Sequence, residues 1–150
     1  MNKTLIGAIE QCNLPKLAIK GLHIRVDTGA ATSSLHVDNI DEFMVEDVLW
    51  VSFDIHPDVH DVKRVFRRKA KVVSRKIVKS STATRERRYV ITTPLVMANA
   101  TWDIQLTLTD RSSMTYLMLL GREAMQGRFV VDPSVEYVLG KFVTEESEEN

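Results

Sequence analysis

Along Leu49-Trp50-Val51-Ser52-Phe53-Asp54-Ile55 the side chains of Val51, Phe53 and Ile55 fall on every second residue, the period of a strand with one buried face. That character recurs through the chain. Residues 22–26, 64–73, 75–78, 88–97 and 101–109 are β-branched or apolar runs cut by turn residues, and no strand-helix alternation builds a parallel doubly wound sheet. Ala98-Asn99-Ala100 reads as the turn between the last two runs. A further apolar run ends at Gly121, after which residues 122–125 read as one short helix closed by Gly127. Phe129-Val130-Val131 and Tyr137-Val138-Leu139 read as a closing hairpin around Asp132-Pro133-Ser134. The expected fold is mostly β, a small closed β-barrel with one short C-terminal helix.

The chain has 150 residues, 44% of them hydrophobic, which suits one domain with its own core. That domain is expected over 1–143, with a frayed acidic tail over 144–150. The N-terminal residues lack the sustained apolar stretch of a secretory signal, and the one cysteine, Cys12, can form no internal disulfide. Both features predict a cytoplasmic protein, without a membrane span. Cys12 has no activating neighbour in the sequence and reads as a passive thiol.

Twenty basic and twenty acidic residues give zero formal net charge, which excludes bulk attraction to nucleic acid or membranes. The neutrality is a cancellation. Residues 63–88 carry twelve Lys and Arg and one acid, a net +11, leaving −11 on the remainder. Residues 36–61 hold eight acids and no Lys or Arg.

The feature that points to chemistry is Val26-Asp27-Thr28-Gly29-Ala30, an acid at the end of an apolar strand followed by a small-residue turn. Far downstream, 94 residues from Asp27 to Gly121, lies Leu119-Leu120-Gly121-Arg122. This pair of motifs resembles the retroviral-type aspartic proteases, the retropepsins. The resemblance implies that Asp27 is the catalytic carboxylate and that Thr28 interlocks two loops. Gly29 would let the backbone approach substrate, Ala30 would support the catalytic loop, and Leu119, Leu120 and Gly121 would thread beneath it. Retropepsins commonly carry an acid where this chain has Ala31, so Arg122 lacks that partner and is expected to cap the short helix or meet acidic surface.

A closer resemblance covers nearly the whole chain through residues 20–36 (KGLHIRVDTGAATSSLH), 75–81 (RKIVKSS), 102–111 (WDIQLTLTDR) and 118–133 (MLLGREAMQGRFVVDP). These blocks are similar to a bacterial and archaeal family labelled ATP-dependent zinc proteases. The family is also described as retropepsin-like and is often encoded near ATP-grasp glutamate ligases that modify a ribosomal protein. The residues support neither cofactor in the label, and none is expected. No H-E-x-x-H motif exists. His56 and His60 have i, i+4 spacing, but Pro57 between them argues against a helical ligand face. The six glycines form no phosphate-cradling loop. Ser33, Ser34 and His36 lie close together without a nucleophile elbow, and read as strand or loop residues. Trp50 and Trp102 read as core or interface anchors.

Aspartic protease chemistry needs two carboxylates sharing a proton, and this chain has a single Asp-Thr-Gly. The reading therefore requires a homodimer with two Asp27 side chains on its axis. Retropepsins also cover substrate with a β-hairpin flap between the two motifs, and the resemblance implies one over residues 76–90, its small polar tip starting at Ser80 and Ser81 and its arms carrying Lys76, Lys79, Arg85, Arg87 and Arg88. Such a flap suits an acidic peptide or protein substrate. A second expectation, of another class, is a non-catalytic module that docks the basic segment on an acidic protein tail or ribosomal RNA. Nucleic acid is disfavoured by the lack of aromatic RNA-binding signatures. The third is the zinc protease of the label.

Overall fold

The computed structural model describes residues 2–56, 64–79, 85–110 and 116–141, without the side chains of Val78 and Lys79. The flap tip at 80–84, including Ser80 and Ser81, and the tail at 144–150 lie outside the described residues. Eleven strands and one four-residue helix are present among those residues. They are β1 (Thr4–Ile6), β2 (Ile9–Leu14), β3 (Ile19–Asp27), β4 (Ser33–His36), β5 (Asp38–Val45), β6 (Val48–Ile55), β7 (Phe66–Lys79), β8 (Arg85–Met97), β9 (Ala100–Thr109), β10 (Met118–Gly121), α1 (Arg122–Met125) and β11 (Phe129–Val131). A 3-10 turn at Pro15–Leu17 joins β2 to β3.

Nine strands form one sheet in the order β2-β3-β10-β4-β9-β8-β7-β6-β5. An extra pairing of β2 with β8, Asn13 opposite Val96, closes β2, β3, β10, β4, β9 and β8 into a ring. The ring interior is apolar: Ile24, Leu35, Leu95, Leu106, Met118 and Leu120 are buried in one core cluster. Strands β7, β6 and β5 continue outward from β8 as a wing. In β6 the alternation read from the sequence holds, with Val51, Phe53 and Ile55 fully buried.

Two hairpins turn on consecutive left-handed residues, Glu46-Asp47 (φ 50° and 66°) and Ala98-Asn99 (φ 53° and 61°). This geometry matches the right-handed twist of the strands it joins. The basic segment, expected as two strands, is one long strand. A register shift between Val72 and Ser74 absorbs the extra residue as a bulge.

The expected closing hairpin does not form. β11 pairs in parallel with β1, Leu5 opposite Val130, and residues 137–139 are not a strand. The fully buried Glu10 accounts for this. Its carboxylate accepts the backbone N–H groups of Gly7 (2.7 Å), Val138 (3.0 Å) and Leu139 (3.2 Å). These bonds give the buried charge its partners and pin the C-terminal segment to β2. The sequence reading also missed β2, whose apolar run Glu10 interrupts, and β5, whose acidic residues hide its period.

Candidate functional site

Asp27 ends β3, and the chain then turns sharply. Gly29 N–H donates to Asp27 Oδ1 (3.1 Å), and Ala30 N–H donates to the Asp27 carbonyl (3.2 Å). Asp27 is half-buried, whereas Thr28 and Gly29 are exposed. Thr28 is at the loop surface, and its hydroxyl has no hydrogen bond among the described residues. A Cβ on Gly29 would lie 3.3 Å from Asp27 Oδ1, a close approach that a larger side chain would disturb.

Beneath the loop runs β10. It is parallel to β3, with Leu120 opposite Val26 and Gly121 opposite Asp27, and antiparallel to β4, with Leu119 opposite Ser34. Leu120 is fully buried and Leu119 half-buried. Gly121 passes so close to the loop that a Cβ would sit 2.6 Å from the Thr32 carbonyl carbon and 2.9 Å from Ser33 N. Only glycine fits there. Its N–H donates to Ser33 Oγ (2.9 Å), and the Arg122 and Glu123 N–H groups donate to the Ala30 (2.9 Å) and Ala31 (3.1 Å) carbonyls. The strand-and-loop crossing that the two motifs implied is therefore present, and it holds Asp27 at the mouth of the ring.

A model of the RimB-like family, described as retropepsin-like aspartic endopeptidase RimB, matches residues 5–141. The chain belongs to this family. A Shewanella pealeana protein named "Probable alpha-L-glutamate ligase" is 46% identical over 140 residues, covering 93% of this chain and 31% of its own length. A protein of the same name from Desulfotalea psychrophila is 44% identical over 145 residues, covering 97% of this chain and 31% of its own. The RimB-like chain thus spans about a third of the length of the curated relatives it matches. Among solved structures, a Legionella pneumophila protein of unknown function (DUF785) aligns over 91% of this chain and 98% of its own with a TM-score of 0.74 and 22% identity. That likeness shows the fold.

The role expected for Arg122 is corrected. Neither helix nor acidic surface takes its guanidinium: Nη1 donates to the Gly29 carbonyl (3.1 Å) and reaches the Thr28 carbonyl (3.5 Å). The RimB-like chain holds its loop through main-chain oxygens where retropepsins offer an acid, which explains how Ala31 is tolerated. Ser33 is a strand residue, as read from the sequence, and its Oγ adds a support to the loop by accepting from Gly121 N–H. Its partner Gly121 lies 88 residues away, so no local pattern announces it.

The flap residues divide by strand alternation. Lys76 and Arg88 are opposite one another on one face, whereas Arg87, opposite Ile77, and Arg85, opposite Lys79, lie on the other. Lys76 Nζ donates to Thr32 Oγ1 (2.6 Å), which brings the flap arm onto the Asp27 loop. Arg88 is mostly buried and pairs with Glu86 (3.2 Å). Arg85 and Arg87 are exposed and point away from the loop. The basic flap is thus narrower in its local effect than its charge count implied.

Part of the basic segment answers the acidic one. Arg67 pairs with Asp41 (2.6 Å) and Asp54 (3.1 Å), and Arg75 with Glu42 (2.8 Å). The hydrogen bond from Asn39, followed by those from Arg67, holds the Asp54 carboxyl below its usual range. The zinc of the family label finds no donor set: among the described residues no three His, Cys, Asp or Glu side chains gather around a common point. His56 pairs with Asp38 (2.9 Å), and His60 lies outside the described residues. Cys12 is fully buried, which pushes its thiol well above the ordinary range. Trp102 is an anchor: its Nε1 donates to the Ala124 carbonyl (3.1 Å) and its ring packs on Phe129. Among the described residues no helix is long and apolar enough to cross a membrane.

Proposed function

We propose that this chain is an aspartic endopeptidase that works as a homodimer, with one Asp27 from each copy forming the catalytic dyad. The observation that carries this reading is the Asp27 loop seated on β10, where Gly121 and Arg122 fix the loop backbone and leave the carboxylate accessible. One Asp-Thr-Gly supplies half a dyad. Two carboxylates about 3 Å apart cannot both ionise. One would take a proton from water while the other, protonated, polarises the scissile carbonyl. Thr28, exposed and with no hydroxyl hydrogen bond among the described residues, suits a bond to the partner copy's loop.

The substrate we infer is an acidic peptide segment. Lys76 beside the loop supports this, since it offers a cation to a bound carboxylate. The relatives' name supports it as well: a ligase that adds glutamate makes acidic chains, and a peptidase associated with such an activity would cleave them. A non-catalytic module that only binds acidic chains is the rival.

Asp27→Asn separates the two. Activity on glutamate-rich peptides should fall at least about 10³-fold, within the range of losses for an essential acid-base group, while the melting temperature and the dimer in sedimentation are kept. Residual cleavage at the parent rate, or a strict monomer that cleaves, would overturn the dyad. Cleavage of neutral and acidic peptides at equal rates would remove the substrate class.

A further inference from the structure

At the end of the β7–β8 ribbon away from the Asp27 loop, the two strands part. β7 pairs with β8 from Lys79 opposite Arg85 to Val72 opposite Ile91, and no further. From Phe66 to Lys71 it pairs with β6 alone, while β8 runs on beside β9. Every second residue of an antiparallel strand directs its N–H and C=O to the outer edge. Among the described residues, no backbone hydrogen bond crosses the fork to the Phe66–Lys71 edge. One side chain spans it, Arg68 Nε donating to the Leu17 carbonyl (2.6 Å).

Between the parted strands lies an open cleft of about 830 Å³. Five cations line it, among them Lys16, Lys69 and Lys71, and no carboxylate does so among the described residues. Arg67 is neutralised by Asp41 and Asp54. Lys16, Lys69 and Lys71 have no ion pair or hydrogen bond among the described residues. Thr93, also in the lining, is 2% exposed, and its Oγ1 has no hydrogen-bond partner among the described residues. A buried hydroxyl left in that state is a cost that a bound polar group would remove.

We propose that this fork is a docking site for an extended acidic segment of another protein, added as a strand to the free edge of β7. The charge asks for an anion, and the free edge asks for a polypeptide. A backbone ladder is something a peptide can complete and a nucleic acid cannot. Lys69 and Lys71 lie on one face of β7, Arg68 and Ala70 on the other. An added strand would therefore set alternate side chains against the lysines and the intervening ones beside Ala70 and Leu17. The fitting sequence alternates acidic and apolar residues. Lys71 and Lys69 lie about 17 and 23 Å along β7 from Lys76, at roughly 3.3 Å per residue, and occupancy of the site does not depend on catalysis at Asp27.

The test is fluorescence anisotropy on the full-length protein with a labelled decapeptide of alternating Glu and Val. Lys69→Glu/Lys71→Glu should weaken binding at least about tenfold, as should N-methylation of alternate peptide amides, which blocks the ladder. Asp27→Asn should bind like the parent. Both lysines are exposed, and circular dichroism verifies that the double variant is folded. The proposal is overturned by the absence of binding at millimolar peptide, or by unchanged affinity in Lys69→Glu/Lys71→Glu. Tighter binding of a uridine oligonucleotide of equal charge would also overturn it. Loss of binding in Lys76→Glu alone would assign the peptide to the Asp27 loop instead. A gain of at least about tenfold on truncation after Val143 would make the chain's own acidic tail the occupant.

Discussion

The closed ring and the wing that extends from it share one core, which Val51, Phe53 and Ile55 of β6 join, yet the wing is also held by surface charges. In the ring, aliphatic side chains from β3, β4, β8, β9 and β10 meet in one core, each worth about 1.5–3 kcal/mol when fully buried. In the wing, Arg67 and Arg75 also bridge to acids of β5 and β6, and exposed pairs of this kind contribute little. The difference explains where Asp27 can be. On the proposed function the loop must hold the Asp27 carboxylate within about 0.5 Å, and the crossing of β10 beneath residues 27–33 gives it that support. The wing can change its charges at little cost to stability, which suits a surface concerned with recognition.

The largest effect should come from within the ring. Gly121→Val drives a side chain into the Thr32 backbone, and we expect a loss of about 3 kcal/mol or more, read as a fall of about 6–12 °C in melting temperature. A thermal shift below about 2 °C would mean that β10 does not press on the loop as described. Next is Glu10→Ala, which strips the partner from three backbone N–H groups. A loss of about 2–4 kcal/mol is expected, with amide exchange at Val138 and Leu139 accelerating more than in the ring core. Unchanged exchange there would show that the C-terminal segment is held by other contacts.

The smallest effect belongs to the wing and depends on pH. The Asp54 pKa is lowered in the folded protein, chiefly by Asn39 and then by Arg67. Its contribution to stability is therefore present above the unfolded-state value, about 3.9, and is lost as the pH falls through the lower folded value. Asp54→Asn should destabilise by less than about 1 kcal/mol at pH 7. In urea titrations the gap from the parent should narrow as the pH falls below the unfolded-state value, and it should narrow in high salt. A gap that persists at low pH would assign the effect to packing, and the contrast between ring and wing would lose its electrostatic half.

Much of this was legible in the residues. Alternation in β6, the long apolar runs and the turn at Ala98-Asn99 announced a β fold. Asp27-Thr28-Gly29 with Leu119-Leu120-Gly121 implied the crossing through their resemblance to the retropepsin motifs. Other features were hidden for identifiable reasons. β5 carries so many acids that its two-residue period is masked. Glu10 looked like an interruption because its partners, Val138 and Leu139, are 128 and 129 residues away. Arg122 binds carbonyl oxygens, which every residue type possesses, so the absent acid at Ala31 pointed the wrong way.

What the sequence by itself determined is the strand period, the segregation of charge and the two motifs, because these are properties of neighbours along the chain. Tertiary structure alone decided which of the basic residues face the Asp27 loop, which are neutralised by the acidic strands, and where β7 has an edge unpaired among the described residues. Those outcomes depend on register and closure, and a shift of one residue would turn each side chain to the opposite face.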